Sequence, residues 1–224
     1  LRRTPTFKNR QDAGRQLAER LLRYRDERPV VLALPRGGVP VGYEVAVTLD
    51  APLDIVVVRK LGAPGQPELA IGAVVDGDDP QSVLNPDLMR LLDVSEEYLA
   101  REVDRQLWEI RRRERLYRGD RPHARVEGRT AIVVDDGIAT GASMRAALRG
   151  LRRAGPARLV LAVPVAPPDT VEALRAEVDD LVCLSTPEPF MAVGQHYEDF
   201  SQPTDEEVIE LLDRARERSP VHDG

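Results

Sequence analysis

Two stretches of this chain follow one plan, and that repetition constrains the fold more than anything else in it. Residues 30–34 and 131–134 are short, uninterrupted apolar runs rich in β-branched side chains. Strands covered on one face alternate apolar with polar, whereas continuous runs suit strands buried on both faces of a parallel sheet. Each run opens into a loop of small residues, and each loop leads into helix formers, at 41–49 and at 144–153. A strand, a loop and a helix in repeated order define an α/β chain with a largely parallel sheet. Further strands are expected at 53–58, 70–75, 159–165 and 181–184, with a short antiparallel one at 82–85 and a turn at 76–80.

The second plan carries the chemistry. Asp135 and Asp136 end its strand, and Gly137, Ala139, Thr140, Gly141, Ala142 and Ser143 lie in the loop before the helix. A helix N-terminus offers unpaired N–H groups and the positive end of a dipole, so it suits phosphate. Gly141 and Ala142 let a ligand approach the backbone, and Thr140 and Ser143 add hydroxyl donors. The two aspartates can accept from sugar hydroxyls or help hold a divalent metal. A phosphate site beside a diol site describes a phosphorylated pentose. The plainer alternative is a β–α turn with solvated acidic caps. In the first plan, Arg36 precedes Gly37 and Gly38, placing a guanidinium where it can grip a diphosphate. Arg59 and Lys60 follow the 53–58 run, at the strand edge where ligands of open α/β sheets gather.

Residues 133–143 (Val-Val-Asp-Asp-Gly-Ile-Ala-Thr-Gly-Ala-Ser) resemble the phosphoribosyl-diphosphate (PRPP) loop of type I phosphoribosyltransferases. Residues 34–38, 58–65 and 135–143 together resemble a bacterial group within that family over nearly the whole chain. The resemblance implies a type I phosphoribosyltransferase-like α/β core: a mainly parallel five-stranded sheet flanked by helices, with a helical insertion near 86–118 and a small hood near 185–203. It implies one domain over 1–224. The 5′-phosphate would lie on Gly137 and on residues 139–143, and the ribose hydroxyls on Asp135 and Asp136. Pyrophosphate would lie on Arg36, Gly37 and Gly38, in a segment (35–38) expected to hold a non-proline cis peptide. Arg59, Lys60 and Glu68 would be catalytic, and Phe190, Met191 and Asp199 would face the acceptor. Mg²⁺ is the implied cofactor, with no direct protein ligand assigned. The partners would be PRPP and a small-molecule acceptor such as a nucleobase, which places the chain in nucleotide metabolism. A PRPP- or nucleotide-sensing regulator on the same fold is the alternative.

Two departures bear on the acceptor. Purine-type enzymes of the family carry an acidic residue where this chain has Ala139, and a basic residue where 165–168 has none. The usual 6-oxopurine is therefore not supported, and Glu68 and His196 are the candidate bases. Residues 61–69 hold two glycines and two prolines and read as a loop, a lid over the site.

Composition narrows the partners. A net charge of −6 and a pI near 5.3 give no electrostatic case for nucleic acid or an anionic membrane. The arginines at 111–113 and 115 lie on a helix dense in acids and read as a solvated face. That helix, 95–118, is capped by Ser95, with a stripe of Leu99, Val103, Leu107, Ile110 and Leu116 joined by Trp108; it is also a candidate homodimer contact. Cys183 stands alone in an expected buried strand, so no intrachain disulfide forms and a cytoplasmic location is expected. No membrane span is expected, and the last residues should fray.

Overall fold

The computed structural model describes residues 6–77 and 80–218. The expected turn at 76–80 lies partly, and the expected C-terminal fraying largely, outside those residues. In chain order the elements are α1 (Arg10–Leu21), β1 (Val30–Ala33), α2 (Gly38–Leu49), β2 (Leu53–Ile55), β3 (Val58–Ala63), β4 (Gln66–Val75), β5 (Gln81–Leu84), α3 (Pro86–Leu91) and α4 (Glu96–Arg118). Then come β6 (Thr130–Val134), α5 (Ala142–Arg153), β7 (Arg158–Val165), α6 (Pro168–Arg175), β8 (Asp180–Ser185) and α7 (Asp205–Arg218).

The five-stranded sheet is parallel, in the order β2-β1-β6-β7-β8. Alternate residues of its apolar runs face opposite layers, as the period of a strand demands. Val31, Ala33, Ile132 and Val134 pack under α1, α2 and α7 with Leu17, Val41 and Leu212. Val30, Leu32 and Val133 pack on the other side with Leu148 of α5 and Leu174 of α6. β1 and β6 are neighbours, and the chain leaves them in opposite directions: through α2 to β2, and through α5 to β7. This is a topological switch point, where open α/β sheets form their ligand crevice.

Helix starts follow the caps that the residues offer. Asn9 accepts from Asp12 N at 2.9 Å, and Ser95 from Tyr98 N at 3.2 Å. Thr204 and Glu207 form a reciprocal capping box, at 3.2 and 2.7 Å.

Four expectations need correction. Residues 61–69 are not a loop: β3 and β4 form an antiparallel hairpin turning at Pro64 and Gly65 (φ 68°). Its register jumps from Gly62↔Ala70 to Ala63↔Gln66, so Pro67 and Glu68 sit in a bulge where a missing N–H costs no ladder bond. The 53–58 strand ends at Ile55, so Arg59 and Lys60 belong to β3 rather than to the end of a sheet strand. Trp108 is 65% exposed and Leu116 39%; the buried face of α4 instead includes Glu102, Gln106, Ile110 and Tyr117. Cys183 lies on the half-buried edge strand β8, where its Sγ contacts Ser185 O at 3.3 Å.

Candidate functional site

The loop before α5 starts where β6 ends. Ile138 N donates to Val165 O at 2.9 Å, which keeps the loop against β7. Thr170 Oγ1 donates to Ala139 O at 2.8 Å and pins the loop from α6. Gly141 holds φ 75°, a left-handed conformation suited to glycine, and it turns the chain directly into α5. Ala139, Thr140 and Ala142 are exposed and Ser143 is half-buried. The first turn of α5 thus opens to solvent beside hydroxyl-bearing residues, a geometry suited to phosphate.

The glycine loop after β1 lies directly on it. Leu34 N donates to Val134 O at 3.0 Å. A Cβ on Gly37 would fall 2.0 Å from Asp136 Oδ2, and one on Gly38 would fall 2.8 Å from Val134 O. Both positions are glycine because the donor strand and its carboxylate occupy that space. The Pro35–Arg36 peptide is cis, within the segment where a non-proline cis bond was expected. Arg36 is half-buried, with Nη1 3.8 Å from Asp205 Oδ1.

Asp135 and Asp136 do not behave alike. Asp136 N donates to Asp135 Oδ1 at 2.8 Å. Burial first, and the charge of Asp136 second, push the Asp135 carboxyl well above the usual range. Burial also raises Asp136, against the pull of Arg10. Arg10 Nε reaches Asp136 Oδ2 at 2.7 Å, while its Nη1 donates to Ser201 O at 2.7 Å. The guanidinium also stacks over Phe200, 3.9 Å from the ring centroid. Sequence reasoning missed Arg10. The available signal was phase: it falls in register with Ala13, Leu17 and Leu21 on the buried side of α1.

The segment at 190–201 closes over these loops. Tyr197 donates its hydroxyl to Asp136 O at 2.6 Å and packs between Phe7 and Phe200. A Cβ on Gly137 would meet Val193 at 2.5 Å. Phe190 stacks on His196, 5.3 Å between centroids, whereas Met191 is 75% exposed. Asp199 is exposed and accepts from Ser201 N and Oγ at 2.9 and 2.7 Å.

The hairpin residues stand apart from this group. Arg59 Nε donates to Gln106 Oε1 at 3.0 Å, and Gln106 donates to Glu102 at 2.9 Å. Glu102 and Tyr98 also bond Gly62 N and O, at 3.3 and 2.9 Å, so α4 holds the hairpin by its backbone. Lys60 and Glu68 are exposed. Among the described residues, no hydrogen bond or ion pair joins Arg59, Lys60 or Glu68 to Asp135 or Asp136. No described helix is long and apolar enough to cross a membrane.

The fold and the paired loops at its switch point define a type I phosphoribosyltransferase-like domain. The Phosphoribosyl transferase domain model matches residues 6–199, and the chain belongs to that family. Rv0571c and MT0597, from two strains of Mycobacterium tuberculosis and provisionally named phosphoribosyl transferases, are each 49% identical over 209 residues, 93% of this chain. The chain spans about half (47%) of the length of these curated relatives. The crystal structure of TT1426 from Thermus thermophilus is 50% identical, with a TM-score of 0.81 covering 92% of this chain and 97% of that one.

Proposed function

We propose that this chain, read as one domain over 1–224, transfers 5-phosphoribosyl from PRPP to a small nitrogen heterocycle and releases pyrophosphate. The observation that carries this is the contact of the two glycine loops at the β1–β6 switch point, where Asp136 fills the space beside Gly37. That contact supports a reading in which the loop before α5 takes the phosphate and the glycine loop the pyrophosphate of one pentose ligand.

In this reading Gly137 and residues 139–143 hold the 5′-phosphate. Asp135 faces the ribose hydroxyls, with Asp136 fixed beside it by Arg10. Arg36 and the amides of Gly37 and Gly38 receive the pyrophosphate. The bond from C1 to the pyrophosphate oxygen breaks as a bond from C1 to the acceptor nitrogen forms, through an oxocarbenium-like state. The acceptor's proton passes to a base, for which Glu68 and His196 are candidates. Charge builds on the leaving oxygens, and Arg36, Arg59 and Lys60 stabilise it. Phe190 offers a stacking face for the acceptor, with Met191 beside it and Asp199 farther along the same segment.

Magnesium fits as an ion carried largely by the substrate's own oxygens. Asp136 is bonded to Arg10 and packs against Gly37, so Asp135, which accepts from Asp136 N through Oδ1, would be the loop carboxylate left to meet the ion. Mg²⁺ commonly binds through one or two carboxylates together with substrate phosphates. When bound, it would neutralise charge on the departing pyrophosphate.

Calorimetry with PRPP and Mg²⁺ tests the donor site, and no binding at millimolar ligand would sink it. A pyrophosphate-release screen over nucleobases and related heterocycles then names the acceptor. One observation favours a sensing role without transfer: Arg59 is tied to Gln106 on α4. PRPP binding with no turnover of any acceptor would support that second reading.

A further inference from the structure

Outside the donor crevice, five polar residues meet where the end of α4 passes β2 and the end of β4. Asp54 is fully engaged: it accepts from Ile55 N and Ala124 N at 2.8 Å each, and from Arg118 Nε at 3.1 Å. Arg118, 2% exposed, also donates to Ile55 O at 3.2 Å and Glu114 Oε1 at 3.1 Å. His123 Nε2 faces the same Glu114 oxygen at 3.2 Å and lies 3.4 Å from Arg118 Nη1. Asp76 is different. Its side chain is 4% exposed, and among the described residues its buried Oδ2 has no hydrogen-bond partner; Arg118 Nη2 stops at 3.8 Å.

The charges do not balance. Within ion-pair distance Asp54, Asp76 and Glu114 share the one guanidinium of Arg118, a formal deficit of two positive charges while His123 is neutral; Arg216 acts on Asp54 from farther off. Burying such an imbalance is costly, so two protons or one divalent cation should make it up. One oxygen each from Asp76 and Glu114 and one imidazole nitrogen from His123 lie within 4.8 Å of one another. A cavity of about 230 Å³ reaches Glu114 and His123 from solvent, and Arg111, Arg115, Arg118 and Arg121 line it together with Asp120.

We propose that Asp76, Glu114 and His123 form a site for a divalent metal of the zinc class. An imidazole with two carboxylates suits Zn²⁺, whereas Mg²⁺ and Ca²⁺ favour all-oxygen sets. Three protein ligands leave a position for water on the cavity side. The ion turns the orphaned Asp76 oxygen into a ligand, and Arg118 stays bonded to Asp54 and Ile55 O. It ties the end of β4 to α4 and to the loop beyond it, and so braces the hairpin that carries Arg59 and Lys60. The site is independent of PRPP, and its test reads metal alone.

The test strips the intact protein with a chelator and titrates Zn²⁺ by calorimetry, alongside thermal melts near neutral pH. The expected result is one zinc per chain, a raised Tm reversed by chelator, and no competition from excess Mg²⁺. Asp76→Asn and His123→Gln should each keep the far-ultraviolet dichroism yet weaken zinc by at least about a hundredfold, since losing a direct ligand costs no less than losing an outer-shell partner. Failure of zinc to bind stoichiometrically overturns the site. So does binding that both substitutions leave unchanged, since the zinc then sits elsewhere. If Asp76→Asn raises the metal-free Tm at alkaline pH while zinc changes nothing, protons balance the cluster and the metal site is wrong.

Discussion

Arg10 Nε lies 2.7 Å from Asp136 Oδ2, across 126 positions of sequence. The pair joins α1 to the donor loop, and through Ser201 O and the Phe200 ring it joins both to the segment at 190–201. Asp136 in turn occupies the space beside Gly37. One arginine therefore bears on the loop after β6, the glycine loop after β1 and the closing segment together.

Arg10→Gln should unfold at a markedly lower temperature. Both side chains are largely buried, 7% and 14% exposed, and removing one partner of such a pair costs about 3–5 kcal/mol. Denaturant melts of Arg10→Gln, Asp136→Asn and the double variant measure the coupling. Additive losses would show that the two residues do not support each other.

Gly37→Ala should keep the fold and lose donor affinity. Gly37 has φ −60°, which alanine accepts, so the only conflict is with the Asp136 carboxylate. Displacing it costs roughly 1–3 kcal/mol as an overpacking strain. At about 1.4 kcal/mol per decade, PRPP affinity should weaken by roughly five- to 150-fold in calorimetry. Wild-type affinity in this variant would remove Asp136 from the donor site.

Thr170→Val tests the pin on the loop. Valine keeps a methyl near Gly141 but loses the 2.8 Å bond to Ala139 O. A single hydrogen bond is worth about 0.5–1.5 kcal/mol. The KM for PRPP should rise a few-fold with kcat nearly unchanged, because the substitution loosens ground-state and transition-state grip alike.

Lys60→Ala separates chemistry from stability. Lys60 is exposed on β3, so its loss should move stability by no more than about 0.5 kcal/mol. Turnover should fall at least about tenfold, the equivalent of 1.4 kcal/mol of leaving-group stabilisation. Unchanged turnover would take Lys60 out of the mechanism.

The two strand–loop–helix units were legible because their signals are local: small residues, hydroxyls and aspartates follow one strand in order. The sheet was legible because runs such as 131–134 are buried on both faces. The hairpin was misread because prolines and glycines mark loops and tight hairpin turns alike; only pairing shows that Pro67 sits in a bulge. On α4 the buried face mixes polar with apolar side chains, since Glu102 and Gln106 serve the hairpin, and an apolar-only stripe drew in Trp108. Arg10 and Arg118 look like ordinary surface arginines until their distant acidic partners are brought beside them.

The pairing of Val30 with Ala131 has a further consequence. Neither loop forms a crevice on its own half of the chain, so the pocket exists only after the most entropically costly closure in the sheet has been made. A ligand spanning both loops acts as a removable crosslink between the two halves. The stabilisation such a ligand gives grows with its concentration relative to its Kd. A ligand bound across both loops would thus report on whether the chain has finished folding, and its supply would raise the folded fraction.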